Sequence, residues 1–464
     1  MSLYKVISWE PNEGWKLEPP FTSITEIAEK MGSANEPISI HTDLVNKMNN
    51  CITVYDAPLA VSNKKPNDQG IYSTAVPKGM YIAIVTSGVG DTIYNPIIVS
   101  ADFESDGSVD ASSSNIPISR SSDYEGNTAV AKKDSIQLEK TAQDANTRDA
   151  NKSETVAVGD ELTFTITTSI PPFATYLHPS FVIQDEMSEG LEYESGTATV
   201  TTPSGLETGK QYKVTNESKN GFTLSFTDTY LKKRATNTPV TITYKANVTT
   251  DAKNSINHEN NTVTLTFSNN PNTELDTAKL IDRTNHYTFT IDGSLLGDTG
   301  YKATEVVKVG VDQAGNEITK STTLSNTGKV GALEGAHFEL YKASDTWEKQ
   351  GLYTNKDKDG HDISFTDITS GSDGRITLKC LDAGKYLLVE TQAPAGYIRD
   401  TNPVKIEIKA TVKEVDHTED GCTFKTNELT SYTVEINGAE TANYTITNSS
   451  IATSSVSGSY KNSY

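Results

Sequence analysis

The sequence predicts an all-β protein built of sandwiches or small barrels, and three observations carry the prediction. Apolar and polar residues alternate in run after run, as in ELTFTITTSI, TATVTT, FTLSFTDTYL, VTITYKANV and TVTLTFSN, and after residue 370 in RITLKCL, KYLLVE, VKIEIKATV and NYTITN. Period two with many β-branched residues marks strands that bury one face. Turn sequences such as DQAGN, KDKDG and SDG separate the runs at short spacing. Helical spacing is scarce. The one segment read as a helix is FTSITEIAEKMG near residue 25, with Thr22 or Ser23 as its cap and Gly32 as its stop.

A chain of 464 residues leaves room for two to four domains, each with its own core. Two polar stretches interrupt the strand pattern. Residues 106–128, DGSVDASSSNIPISRSSDYEGNT, are Ser-rich and read as a linker or long surface loop. Residues 268–285, SNNPNTELDTAKLIDRTN, lie between two strand-rich blocks. Domains are therefore expected at 1–131, 132–281 and 282–450, followed by a flexible tail, 451–464.

Charge and composition narrow the function. There are 61 acidic against 40 basic residues, a net charge of −21. That argues against a nucleic-acid or anionic-membrane partner, both of which reward a basic face. Cys51, Cys380 and Cys422 are odd in number and too few for a disulfide-stapled scaffold. No stretch approaches 18 apolar residues, so no membrane span is expected, and MSLYKVISWEP lacks the pattern of a signal peptide.

Signs of turnover chemistry are missing. The histidines at 41, 178, 258, 286, 337, 361 and 417 are scattered, with none at metal-ligand spacing, and no nucleophile elbow, phosphate loop or dinucleotide fingerprint occurs. NKDKDG at 355–360 has the flavour of a calcium loop but lacks the bidentate Glu six residues on, so an Asp-Gly turn is the simpler reading. No metal and no cofactor are expected. Sequons at Asn151, Asn216, Asn247, Asn260 and Asn443 carry little weight in so Asn- and Thr-rich a chain. A secreted β-rich enzyme would need a convergent cleft of acids that the sequence does not assemble.

One constellation does carry chemistry. In KYLLVETQAPAGYI, residues 385–398, Glu390 interrupts an otherwise apolar strand. A carboxylate there must pair or stay protonated with a raised pKa. TEVVKVGVD sets Lys308 among valines, and the closing run NYTITN ends in Asn448. This stretch resembles the E-box of collagen-adhesin B-type domains in Gram-positive sortase-assembled pilins. The GAHFELY strand adds to the likeness. The middle block repeats the logic: SIQLEKT holds Lys140, FVIQDEMSEGLEY holds Asp185 and TVTLTFSN ends in Asn269. It resembles the isopeptide-forming middle domain of the same pilins. Residues 75–103, with a Pro-x-Gly-x-Tyr strand and a Tyr-x-Pro turn, resemble their first domain, though no Lys/acid/Asn trio stands out there.

The resemblance implies three tandem Ig-like or prealbumin-like sandwiches. It implies amides between Lys140 and Asn269 and between Lys308 and Asn448, promoted by Asp185 and Glu390. Desolvation favours the neutral amine and keeps the acid protonated, so that it polarises the carboxamide and relays protons as ammonia leaves. The crosslink is made once, so the chain is expected not to be an enzyme. It also implies a structural subunit of a covalent cell-surface pilus, extracellular and cell wall-anchored. Its partners would be other subunits, a class C sortase and a host surface or matrix ligand. An ancillary or tip pilin built from the same modules is the alternative. The family's linkage lysine maps to Lys132 or Lys133 in VAKKDSIQLEKT, without the usual Tyr-Pro-Lys-Asn wording, and no LPXTG-type signal follows Asn448.

Overall fold

The computed structural model describes residues 1–451 except 11, 31–37, 55–56, 58, 87–89, 102–123, 126–127, 145–152, 253–257, 292–304, 319, 325–327, 357–361, 366 and 441–442. Strands dominate, and the buried apolar residues fall into three large clusters along the chain.

In the N-terminal block, β1 (Ser2–Glu10) pairs antiparallel with Gly14–Leu17 and with β2 (Gly79–Ile84), which pairs in turn with β3 (Ile97–Ala101). The expected helix near residue 25 is a single turn, α1 (Thr25–Ala28), after a 3-10 turn at Phe21–Ser23. Its cap is Ile24, and the Ser23 hydroxyl donates instead to Pro20 O at 3.1 Å. The proposed stop, Gly32, lies outside the described residues.

A longer helix, α2 (Thr42–Val54), was not expected. It buries Leu44, Val45, Met48, Cys51 and Ile52 against Val6, Ile7 and Ile82 of the sheet. Those positions follow the helical period, but Asn and Thr fill the other face and weaken the pattern. The Ser-rich stretch 106–128 falls mostly outside the described residues, as does the calcium-like loop at 355–360. The outgoing chain is stitched to the N-terminal block where Lys133–Ser135 pairs with Thr92–Tyr94.

The middle block is a two-sheet sandwich. One sheet runs β4 (Leu138–Asp144), β5 (Glu161–Ile170), β8 (Thr238–Val248), with Leu191–Tyr193 beyond. The other runs Ser153–Thr155, β10 (Thr277–Tyr287), β9 (Glu259–Ser268), β6 (Phe181–Met187), β7 (Gly221–Phe226), Tyr212–Ser218. Alternation along β5 and β8 puts Phe164, Ile166, Ile242 and Tyr244 inside, facing Ile183, Val263, Leu265 and Phe267.

The boundary expected at 281 falls inside β10, which pairs with β9 from Thr277 to His286. The polar stretch that reads as a linker turns only over 269–276; from Thr277 the chain rejoins the sheet. The first strand to pair with the C-terminal block is Phe289–Ile291, against Leu378–Leu381.

In the C-terminal block, β11 (Glu305–Val311) and β16 (Asn443–Ser449) lie side by side in parallel. Opposite them run β12 (His337–Ala343), β13 (Gly384–Gln392), β14 (Val404–Glu419) and β15 (Cys422–Ile436), antiparallel in that order. The β14–β15 hairpin outgrows its own sheet and reaches back to β10. Arg283 pairs with Glu419 at 2.7 Å and Lys279 with Asp420 at 2.5 Å, while Ile281, Cys422 and Phe424 are buried together. Cys51 and Cys422 are buried free thiols.

Two Gly-x-Tyr strands start alike. The Tyr81 hydroxyl donates to Pro77 O at 2.6 Å and that of Tyr386 to Asp382 O at 2.8 Å, each reaching four residues back. A buried phenol thereby satisfies its own polar end and fixes the turn into the strand.

Candidate crosslinking sites

In the C-terminal block the three residues singled out by sequence meet. Lys308 on β11, Glu390 on β13 and Asn448 on β16 are all at most 3% exposed. Lys308 lies between Val307 and Val309 in a strand buried on both faces, its main chain flanked by β16 and by Arg375. The register sets Gly310 opposite Asn448, so the amide lies about two residues along the ladder from Lys308.

Glu390 spans both groups. Its Oε1 is 3.2 Å from Lys308 Nζ, and its Oε2 accepts from Asn448 Nδ2 at 2.9 Å and from the Asp400 backbone N–H at 2.8 Å. Asn448 Nδ2 also donates to Ile398 O at 2.8 Å. The Phe338 ring, 5.4 Å from Nζ, closes the apolar side. Burial drives the Lys308 pKa below its usual value, opposed in part by Glu390. Gly374 backs the strand: its O accepts from Lys308 N at 2.7 Å, and a Cβ there would stand 2.6 Å from Lys308 O.

In the middle block Lys140 on β4 meets Asp185 on β6 across the sandwich, both completely buried at the side chain. Lys140 Nζ donates to Asp185 Oδ2. The rings of Phe164 and Tyr244 lie 5.3 and 5.4 Å from Nζ. The Lys140 backbone N–H, on the open edge of β4, donates at 2.6 Å to Asp282 of β10, which ties the two sheets together beside the lysine. Burial pushes the Asp185 carboxyl up, against the lowering pull of Lys140, Tyr244 and Asn261. His286, packed edge-on against Phe164, is held neutral, its pKa pushed down to about 3 first by burial and then by Lys140 and His258.

The third member differs from expectation: the structure brings Asn261, and not Asn269, to the Lys140–Asp185 pair. Tyr244 donates to Asp185 Oδ2 at 2.7 Å and accepts from Asn261 Nδ2 at 3.0 Å. Asn261 is completely buried. On β9 the residue opposite Asp185 is Val263. Asn261 is its inward neighbour two residues away, whereas Asn269 is six residues away in the other direction, about 20 Å along the strand. Both share the inward parity, so alternation alone does not separate them. TVTLTFSN reads as a last strand with its final Asn as the partner, but β10 follows it in the same sheet.

Tyr244 and Asp282 were also missed. Tyr244 read as an ordinary core aromatic of an alternating strand, and Asp282 sat in the presumed linker. Gly221 (φ +138°) stands opposite Glu186, where a Cβ would lie 2.0 Å from Asp185 O, so a side chain there would push the acid out of register. Lys132 and Lys133 are exposed, the second within the Lys133–Ser135 strand at the junction of the first two blocks.

Comparison with known proteins agrees with this architecture. Residues 317–421 match the SpaA prealbumin-like fold domain. The chain is 27% identical over 377 residues to the trypsin-resistant surface T6 protein of Streptococcus pyogenes serotype M6, covering 78% of this chain and 60% of that protein. This chain thus spans less than two thirds of that relative. The T6 backbone pilin of serotype M6 S. pyogenes, a modular three-domain structure decorated with variable loops and extensions, superposes with a TM-score of 0.57. It is 18% identical, with 97% of this chain and 96% of the pilin covered. The Corynebacterium diphtheriae major pilin SpaA aligns over 97% of this chain and 94% of its own, at 15% identity and a TM-score of 0.48. By sequence this chain is thus similar to the T6 protein, and its fold is similar to that of the T6 backbone pilin.

Proposed function

We propose that the chain is a structural subunit of a covalently polymerised Gram-positive cell-surface pilus, stiffened by Lys140–Asn261 and Lys308–Asn448 amides. The observation that carries this is the burial, in two successive sandwiches, of a lysine, a carboxyl group and an asparagine amide in one hydrogen-bonded cluster. Burial at such a position favours the neutral amine, the form able to attack.

The reaction needs no cofactor. A proton passes from Lys308 Nζ to Glu390, and the amine attacks Cγ of Asn448. The Nζ–Cγ bond forms, Nδ2 takes a proton from Glu390, the Cγ–Nδ2 bond breaks and ammonia leaves. The second Nζ proton returns to the carboxyl, so atoms and charge balance. Fixed proximity and the shared acid supply the acceleration. Asp185 plays the same part for Lys140. Each chain reacts once, so the process is maturation and not turnover.

The exposed Lys132 and Lys133 at the first junction are the attachment points a class C sortase would use to join the next subunit. The assembled fibre would be extracellular and anchored to the cell wall, presented to host surfaces or matrix.

Intact mass tests the reading. The folded protein should be lighter than its sequence by two ammonias, and Lys140→Ala and Lys308→Ala should each recover one. A folded protein at its full sequence mass would overturn the crosslinks.

A further inference from the structure

We infer that Tyr244 is a catalytic proton relay for the middle crosslink, a role the C-terminal site does without. The inference rests on the Lys140–Asn261 reading and goes one step beyond it. In the C-terminal site one carboxyl bridges nucleophile and leaving group, Oε1 toward Lys308 and Oε2 toward Asn448 Nδ2 at 2.9 Å. Asp185 is one methylene shorter. Its Oδ2 receives both Lys140 Nζ and the Tyr244 hydroxyl, and the phenol takes the hydrogen bond from Asn261 Nδ2 at 3.0 Å. The hydroxyl therefore stands between the acid and the nitrogen that must leave.

The chemistry assigns it a task. When Lys140 Nζ adds to Asn261 Cγ, Nδ2 becomes a pyramidal amine and must gain a proton to depart. Asp185, holding the proton received from Lys140, donates to the phenol oxygen. The phenol passes its own proton to Nδ2. The Cγ–Nδ2 bond breaks, ammonia leaves, and Tyr244 ends as it began, a neutral phenol. Burial and the Asp185 charge hold its pKa well above the usual value, so it relays as a neutral group and never rests as phenolate. The ring is fixed for the purpose, stacked on Phe164 at 5.3 Å and edge-on to Phe222 at 4.9 Å.

Cell-free synthesis followed by intact mass against time tests this, with the C-terminal crosslink of the same chain as the internal clock. Tyr244→Phe should slow loss of the middle ammonia by roughly 100-fold or more, the contribution of one general acid, while the C-terminal ammonia leaves at the parent rate. Fluorotyrosine at position 244, which keeps the shape and makes the phenol more acidic, should restore the reaction with a changed rate and a changed solvent isotope effect. That outcome also separates a relay from a packing role should the Phe variant fold poorly. A Phe variant that matures at the parent rate, or a fluorotyrosine series with a flat rate, overturns the relay alone. A parent that keeps its middle ammonia overturns the crosslink beneath it.

Discussion

The middle and C-terminal sandwiches hold the same three functional groups in different topologies. In the C-terminal block the lysine and asparagine sit on its first and last long strands, which are neighbours in a parallel ladder. In the middle block the lysine is on the first strand of one sheet and the asparagine is on β9 of the other, with β10 still to come. The Glu carboxyl touches both partners, whereas the Asp carboxyl holds the lysine and a tyrosine hydroxyl that takes a hydrogen bond from the asparagine. Likeness of fold therefore does not say which asparagine meets the lysine. The carboxyl's reach and the strand register decide that.

The largest effects should come from breaking one crosslink and not the other. Asn261→Ala should restore exactly one ammonia of mass, and Asn269→Ala none. The opposite result would return the middle crosslink to the strand end. Each proposed amide would close a long loop, 121 residues between Lys140 and Asn261 and 140 between Lys308 and Asn448. Loop closure on that scale is worth about 5 kcal/mol in the chain-entropy model. Lys308→Ala and Lys140→Ala should each lower the denaturant midpoint of their own block, with the other block's transition unmoved.

Much of this was legible in the sequence, and the failures have physical causes. Period-two alternation pointed to the sandwiches, Lys308 and Glu390 each stood out as a polar residue in an apolar strand, and Asn448 as the end of the closing run NYTITN. Asn261 did not, because NNTVTLTFSNN offers an asparagine at both ends with the same parity. Only pairing with β6 separates the two, and pairing is long-range information. Asp282 was hidden for a related reason: its strand opens in residues that read as a linker. Helix α2 was missed because five buried apolar residues among Asn, Thr and Lys make a faint stripe.

A pulling experiment sharpens the contrast. Tension on the middle block enters at β4 and leaves through β10, but the proposed amide would end at Asn261. The 26 residues from 262 to 287 thus lie outside the covalent loop, held by the β9–β10 ladder and the hairpin contacts. Rupture of that ladder should release about 90 Å of chain at ~3.5 Å per residue. The C-terminal block, whose β16 ends one residue past Asn448, should release no such step beyond its asparagine. Single-molecule traces lacking the intermediate extension, or showing it in both blocks, would dissolve the distinction.

The two glycines behind the sites offer a smaller perturbation. Gly221→Ala would put a Cβ 2.0 Å from Asp185 O, and Gly374→Ala one 2.6 Å from Lys308 O, both at positive φ. Each should destabilise its block by roughly 2 kcal/mol or more. Since Gly221 backs the acid and Gly374 the nucleophile, each variant should also delay its own crosslink. Equal maturation rates in variant and parent would show that backbone register there is not tied to the chemistry.

The smallest effect concerns the junction between the two blocks. Asp382, in the turn before β13, lies with Asp144 at the end of β4 and Asp160 just before β5, their carboxylate oxygens all within 4.8 Å. Thr155 bonds the Asp382 carboxyl, and Tyr386 donates to its backbone O. Burial first, then the two neighbouring aspartates, push the Asp382 pKa from 3.8 up to about 8. The folded state therefore binds a proton that the unfolded chain has released between about pH 4 and pH 8. Stability must fall as pH rises through that window. Asp382→Asn removes the titration. It should leave the melting temperature almost unchanged at pH 5 and raise it by a few degrees at pH 8.5. A variant whose melting curve shifts equally at both values would show that the three carboxylates do not share their charge, and that the junction is held without regard to pH.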